Sequence, residues 1–320
     1  MRKPFCNLLS HGGACVTYWR IMAHKDLDGV LEKFSIGDEL LLGAGAESRV
    51  YALSNDLVLR VYRGAAGRTI RERKALLTAL PRDAVSFALP EIVGEGSAGG
   101  TAYTVERRLP GRSLGAALAD LRDDARANAW RNYLDAASAI ARLTIEGDEF
   151  GETTGWGGTP LRERTWTGYL LASIDRSLRE RGDILSRDVP GLETVLDRVR
   201  QRVVRLGEPA ERKLVHGDFY PQNVMVDDGG RVTAVIDFGG NTLLGDQRMD
   251  LASAAIFAAI PEVSDADETD AAFVMKEACR RYGAGFPDVV EAYRGYYAIH
   301  FAGGSQDYAL CVNTLRAIGA

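Results

Sequence analysis

The sequence predicts an α+β chain in two lobes, a small β-rich lobe followed by a larger helical one. Three observations carry this. Residues 36–108 read as short β-branched or aromatic runs parted by turn residues, around one helix. From Trp130 onwards apolar residues recur at helical spacing. Between the distal helices lies a β-rich island, Val224-Met225-Val226 and Val232 to Ile236, parted by Asp227-Asp228-Gly229-Gly230, which reads as a hairpin turn. A β-rich lobe beside a helical one suggests a ligand cleft between them.

In chain order, Ser35 to Leu42 leads into a glycine-containing turn. Arg49 to Leu53 and Leu57 to Tyr62 read as strands joined by a Ser-Asn-Asp turn. Residues 69–80 read as a helix stopped by Pro81. Gly94 to Gly100 reads as a turn before a strand from Thr101 to Arg107, and Pro110-Gly111 breaks the chain. Trp130, Tyr133, Leu134, Ala137, Ile140 and Ala141 form the apolar stripe of an amphipathic helix. Helices over 166–181 and 191–206 follow, and the chain is helical again beyond Asp250. This gives a first lobe over 22–108 and a second over 109–320, with residues 1–21 as an extension outside the fold.

Composition narrows the partners. The 320 residues are 46% hydrophobic and 26% charged, which excludes a disordered, collagenous or disulfide-scaffold protein. A net charge of −5 argues against nucleic acid as partner, because phosphate binding needs a basic face. The longest apolar run, Leu251 to Ile260, is about half a bilayer span, so no membrane partner is expected. Cys6, Cys15, Cys279 and Cys311 form no CxxC pair, and Cys6, His11 and Cys15 lack zinc-site spacing. Reduced thiols in a cytoplasmic protein follow.

Chemistry is concentrated in His216-Gly217-Asp218-Phe219-Tyr220-Pro221-Gln222-Asn223, followed by Ile236-Asp237-Phe238-Gly239. The D-x-x-x-x-N spacing is that of a kinase catalytic loop, and a second acid opens a DFG beyond the hairpin. Phosphoryl transfer needs these residue types. One carboxylate receives or orients the acceptor hydroxyl, while an amide oxygen and a second carboxylate hold Mg²⁺, a hard cation that takes oxygen ligands. The hairpin returns Asp237 beside the loop that carries Asn223. Further parts lie upstream. Gly43-Ala44-Gly45-Ala46-Glu47-Ser48 reads as a glycine-rich loop with Ser48 in place of a third glycine, whose backbone N–H groups cover phosphates. Arg60 stands on its strand where a kinase carries Lys, and Arg clamps phosphate bidentately. Glu72, Leu76 and Leu80 share a helical stripe, so Glu72 points inward and can pair with Arg60. The alternative for both is a surface charge.

These blocks resemble the aminoglycoside phosphotransferase family, which has a protein-kinase-like fold. HGDFYPQN, IDFGG and Gly245-Asp246-Gln247-Arg248-Met249-Asp250-Leu251-Ala252 match its HGDxxxxN, IDxxxxxxGD and DLA blocks, and Val105 to Leu114 its hinge. Within the family the chain is most similar to the hygromycin phosphotransferase type, through AESRVYAL, LVLRV with Arg for Lys, the GWG…TW stretch around Trp156 and Trp166, and LVHGDF…TAVIDF. It departs from that type at Gly217, where those enzymes tend to have Ala.

The resemblance implies that Asp218 is the catalytic base and that Asn223 and Asp237 bind Mg²⁺. It also implies that Arg60 and Glu72 form the Lys–Glu-type pair, that Gly43, Gly45 and Ser48 cover phosphates, and that the backbone from Glu106 to Arg108 meets the purine of ATP or GTP. His216 and Asp250 would brace the catalytic loop. Gly217 in place of the protein-kinase Arg, and DLA close behind DFG with no APE, leave little room for an activation segment, so a small-molecule acceptor is expected. Glu262, Asp265, Asp267, Glu268 and Asp270 put five acids in nine residues, either a solvated loop or a collar for a polycationic acceptor such as an aminoglycoside; Asp246 is grouped with them. Trp156 and Trp166 either stack on a sugar or pack in the core. The expected activity is transfer of the γ-phosphate to a hydroxyl of an aminoglycoside-like acceptor, with antibiotic resistance as its consequence. The alternatives are a metabolic kinase for an amino alcohol or sugar, and a catalytically silent nucleotide binder. Oligomeric state is left open.

Overall fold

In the computed structural model, which describes residues 28–45, 47–63, 66–260, 265–303 and 308–320, the chain divides into two units. The first takes the described residues up to Ile70 together with Ile92–Arg108; the second takes Arg71–Glu91 and Leu109–Ala320. Arg71–Glu91, which the sequence reading put in the first lobe, therefore groups with the second. The reason is local: Arg73 Nε donates to the Phe238 carbonyl, and Ala88 bridges to Ala234. The expectations for residues 1–21, including Cys6, His11 and Cys15, and those for Ala46 and Glu262, lie outside the described residues.

Alternation builds the first unit. β1 (Leu41–Ala44), β2 (Ser48–Ala52), β3 (Leu57–Tyr62), β4 (Ile92–Ala98) and β5 (Thr101–Arg107) form an antiparallel sheet in the order β1-β2-β3-β5-β4. Side chains on a strand alternate between faces. Tyr51, Leu59, Val61 and Tyr103 fall on one face and bury against Val30 of α1 (Asp28–Phe34). Tyr62 and Ala102 fall on the other and pack with Ala66 and Ile70. The stretch expected to be a turn from Gly94 is instead edge strand β4, and the turn is only Gly99-Gly100, both at positive φ. The glycine at 96 serves close packing: a Cβ there would come within 2.6 Å of the Tyr103 hydroxyl oxygen.

The second unit holds α2 (Gly67–Ala79) from Arg71 on, α3 (Leu114–Ala117), α4 (Asp123–Ile140), α5 (Trp166–Asp188), α6 (Leu192–Arg205), α7 (Arg248–Ala258), α8 (Glu268–Tyr282), α9 (Phe286–His300) and α10 (Tyr308–Gly319). The α4 stripe read from the sequence is buried from Trp130 to Ala141. On α6, Leu192, Val195, Leu196, Val199 and Val203 turn inward at helical spacing. α5 runs to Asp188, beyond the expected end at 181, started by Thr165, whose hydroxyl accepts from Gly168 N–H. Two small sheets frame the functional loops. β11 (Val232–Val235), β10 (Val224–Val226) and β6 (Arg112–Ser113) form one; β8 (Arg162–Glu163), β7 (Phe150–Glu152), β12 (Leu243–Gly245) and β9 (Lys213–Val215) form the other. Trp166 is fully buried, stacked on Tyr169 and donating from Nε1 to the Tyr293 hydroxyl at 3.0 Å, so it is a core residue and not a sugar platform.

Candidate active site

β9 delivers the chain to His216, and the loop that follows is fixed by its own backbone groups. The Asp250 carboxylate, at the start of α7, accepts from His216 N–H at 2.7 Å and Gly217 N–H at 3.0 Å. His216 Nε2 meets the Ile236 carbonyl at 2.8 Å, so Nε2 carries the proton and Nδ1 accepts from Asp218 N–H at 3.3 Å. The ring lies edge-on to Phe238 and Phe219. Burial lowers the His216 pKa and keeps it neutral, which suits this tautomer. Burial raises Asp250 to about 7, against the two N–H donors that favour its charged form. Both residues hydrogen-bond the backbone of the 216–218 segment. Gly217 has φ +78, and a Cβ there would lie 1.8 Å from the Asn241 carbonyl oxygen, so this backbone excludes Ala.

Pro221 opens a single 3₁₀ turn that ends at Asn223, where β10 begins. The β10–β11 hairpin pairs Val224 with Val235, and Ile236 N–H donates to the Asn223 carbonyl at 2.9 Å. Asp237 thus stands one residue beyond the partner of Asn223. Asn223 is buried and its Nδ2 donates to the Asp218 carbonyl at 2.9 Å, which leaves the amide oxygen as the group free to meet a cation. Asp237 is exposed and has φ +69. An amide oxygen and a carboxylate fit Mg²⁺ that completes its shell with phosphate oxygens. Among the described residues no three His, Cys, Asp or Glu gather as a metal site.

In the first unit, register explains a cluster the sequence reading saw only in part. Val50 pairs with Arg60, and Arg60 with Thr104, so Ser48, Arg60, Thr104 and Glu106 share one face. Arg60 Nε donates to Glu106 Oε1 at 3.1 Å and Nη1 to Ser48 Oγ at 3.0 Å, while Thr104 Oγ1 donates to the same Glu106 oxygen. The Ser48 and Glu106 side chains therefore hold Arg60. Arg60 was expected to pair with Glu72. The two residues belong to different units. Gly43 and Gly45 flank the tip of the β1–β2 hairpin, where Gly45 N–H donates to the Ser48 carbonyl and a Cβ would meet nothing. Arg108 N–H donates to the Asp56 carbonyl at 2.8 Å, so that donor is not open to a purine.

In the second unit, α2 grips the segment after Asp237. Arg73 is buried, although it sits in the charged run Arg71-Glu72-Arg73-Lys74 and is not among the site residues read from the sequence. The signal was its spacing: Ile70, Arg73, Leu77 and Leu80 lie at i, i+3, i+7 and i+10, one apolar stripe. Glu72 Oε2 accepts from Gly157 N–H at 3.2 Å. Gly157 belongs to a turn closed by Gly158 N–H to the Gly155 carbonyl at 2.7 Å, whose central residues Trp156 and Gly157 have φ +46 and +88. Such a primed turn favours Asn or Gly at its first central position. A bulky residue there costs on the order of 1–3 kcal/mol. The Trp156 indole lies on Gly239 and Gly240: a Cβ on either would come within 2.9 Å of it.

The distal acids are corrected. Asp270 is buried, paired with Arg126 and accepting from Trp130 Nε1 at 2.7 Å and from Asp267 N–H at 2.9 Å. Asp267 caps α8, accepting from the Thr269 and Asp270 N–H groups in a reciprocal capping box. Its carboxyl is held below the usual range by those hydrogen bonds, the Thr269 hydroxyl first. Asp246 is buried under Arg248 and the Tyr293 hydroxyl. Asp246 and Asp270 are buried and hold the helices, so they do not face an acceptor; Asp267 caps α8 while staying exposed, as Asp265 and Glu268 do.

Comparison with known proteins adds independent findings. The model of the phosphotransferase enzyme family matches residues 39–294. Hygromycin-B 4-O-kinase of Escherichia coli is 30% identical over 243 residues, 70% of this chain, and the match spans 64% of that enzyme's length. Among solved structures, aminoglycoside 2'-phosphotransferase-IIIa bound to GDP superposes with a TM-score of 0.61 at 17% identity, covering 93% of this chain and 97% of that one. An aminoglycoside phosphotransferase from Streptomyces rimosus, in complex with ADP and streptomycin, gives 0.55 at 18% identity, covering 88% and 98%. At these identities the structures speak for the fold, a protein-kinase-like one.

Proposed function

Since the chain belongs to the phosphotransferase enzyme family, we propose that it is a small-molecule kinase that transfers the γ-phosphate of ATP or GTP to a hydroxyl of an aminoglycoside and so confers resistance to it. The observation that carries the reading is the β10–β11 register, which returns Asp237 beside Asn223, five residues from Asp218, on a loop braced by His216 and Asp250. The name of the curated relative supports a hydroxyl on an aminoglycoside as acceptor. ADP and GDP in the related structures support nucleotide use by either base.

In this reading Asp218 accepts a hydrogen bond from the acceptor hydroxyl and takes its proton as the oxygen attacks the γ-phosphorus. The new O–P bond forms, the bond to the β-phosphate oxygen breaks, and nucleoside diphosphate leaves; Asp218 then releases the proton to solvent. The Asn223 amide oxygen and the Asp237 carboxylate would hold Mg²⁺, which would neutralise charge on the phosphates. Arg60, oriented by Glu106 and Ser48, offers its guanidinium to phosphate oxygens, and the hairpin tip at Gly43 and Gly45 covers them. The backbone near Glu106 meets the base. The reading places the enzyme in the cytoplasm, where nucleoside triphosphate is available; no helix among the described residues is long and apolar enough to cross a membrane.

The test is nucleotide consumption, with ATP and GTP in turn, against hygromycin B, other aminoglycosides, amino alcohols and sugars. Turnover with an aminoglycoside is expected, and Asp218→Asn should lower kcat at least about 10²-fold while keeping nucleotide affinity. Turnover with none of the aminoglycosides, or an Asp218→Asn variant of near-normal rate, overturns the reading.

A further inference from the structure

Trp156 is unusual twice over. Its backbone stands at φ +46, one of three non-glycine residues at positive φ among those described, and another of the three is Asp237. Its ring is half-buried on the backbone just after Asp237: Cζ3 lies 2.9 Å from where a Gly239 Cβ would be, and Cδ2 2.9 Å from where a Gly240 Cβ would be. Neither glycine could carry a side chain while the indole is there. Both Trp156 and its turn are anchored from elsewhere. Glu72 accepts from Gly157 N–H, and Thr153 N–H and Oγ1 both donate to the Thr242 carbonyl at 3.1 and 2.8 Å. The next residue of α2, Arg73, donates to the Phe238 carbonyl at 3.2 Å. Two consecutive residues of one helix thus hold the Trp156 turn and the Asp237-Phe238-Gly239-Gly240 segment.

Strained backbone persists where the surroundings over-determine it. A free turn of this kind would be better served by Asn or Gly. Gly239 is tied to Thr242, its N–H donating to Thr242 Oγ1 at 2.9 Å and its carbonyl accepting from Thr242 N–H at 3.0 Å, yet two glycines in succession leave the peptides of that turn soft. A flat ring laid on both of them adds a wall that these two hydrogen bonds do not supply.

Resting on the kinase reading, we infer that Trp156 is a positioning residue for the metal-binding segment: its indole forms the wall against which Gly239-Gly240 lie, and so fixes the direction of the Asp237 carboxylate. Its role differs from the sugar platform or core residue expected from sequence. Residues that orient a metal ligand typically account for about 10- to 100-fold in metal affinity.

The experiment uses Trp156→Asn, which suits the turn and removes the ring, and Trp156→Phe, which keeps a smaller one. Thermal unfolding is followed together with Mg²⁺-dependent binding of ADP and GDP by calorimetry. Trp156→Asn is expected to keep or raise Tm, while the Mg²⁺ needed for half-maximal nucleotide binding rises about 10-fold or more. Trp156→Phe should fall between it and the wild type. Gly240→Ala should weaken Mg²⁺-dependent binding in the wild-type background and cost much less in the Trp156→Asn background, because the clash partner is gone. A Trp156→Asn protein with wild-type Mg²⁺ dependence overturns the inference, whether its Tm is unchanged or lowered; a lowered Tm alone makes Trp156 structural. A wild-type protein that binds neither nucleotide with Mg²⁺ overturns the kinase reading beneath it.

Discussion

Two groups of carboxylates stand close in sequence and do different work. Asp218, Asp237 and Asp250 lie within 33 residues and are placed by a hairpin and a helix start around one loop. Asp267 and Asp270 lie in the densest acidic run of the chain, yet one caps α8 and the other is buried on Arg126 and Trp130. Density of charge did not say where a carboxylate would stand. Spacing relative to a turn did for Asp237, because the hairpin converts that spacing into a register beside Asn223.

Removing a member of the second group should cost stability and leave chemistry alone. Asp270→Ala leaves Arg126 unpaired, and breaking a buried pair typically costs about 3–5 kcal/mol. Urea unfolding should show a loss of that size, with the KM for nucleotide unchanged. An acceptor KM that rises with no loss of stability would restore the collar reading.

In the first group, Asp250→Asn should cost about 1–3 kcal/mol, since an amide offers one acceptor to two N–H groups. The sign of its pH dependence follows from the raised pKa. Unfolded Asp250 titrates near 3.8 and folded near 7. Its contribution is therefore fully present below pH 3.8 and is lost as pH rises through 7. The cost of Asp250→Asn should be larger at pH 5 than at pH 8. A cost that grows with pH would mean that the ionised carboxylate is what holds the loop.

Smaller effects sharpen the contrast further. Asp267→Ala removes a helix cap and should cost about 1 kcal/mol. The double variant Asp265→Asn/Glu268→Gln neutralises the two exposed acids that do not cap α8 and should move the KM of a polycationic acceptor less than about 3-fold at low salt, because exposed charges are screened within about 8–10 Å. A larger rise that vanishes at high salt would show that two exposed acids suffice to steer the acceptor.

Local signals were legible in the sequence. The Trp130–Ala141 stripe, the hairpin over 224–236 and the HGD, Asn and DFG spacing each depend on residues near one another in the chain. The rest depended on contacts of long range. Arg60 finds Glu106 across 46 residues because β3 and β5 are neighbours in the sheet. Arg73 reaches Phe238 across 165, and Arg126 reaches Asp270 across 144. Gly94 and Gly96 read as a turn because glycine is common in turns, whereas both lie on edge strand β4 and Gly96 admits the Tyr103 side chain. Strands of two or three residues, such as β6, β7, β8 and β12, are too short to show a period.

The central claim is that the hairpin makes Asp237 a magnesium ligand, while the acids of the α8 start do not take part. Calorimetric titration of ADP or GDP with and without Mg²⁺ tests it most directly, run on Asp237→Asn beside Asp270→Ala. Asn tolerates the left-handed backbone at 237, so the variant changes charge and little else. The account predicts that Asp237→Asn loses the Mg²⁺-dependent gain in nucleotide affinity at unchanged Tm, and that Asp270→Ala keeps the gain with a lowered Tm. An Asp237→Asn protein that keeps the full Mg²⁺-dependent gain would contradict it.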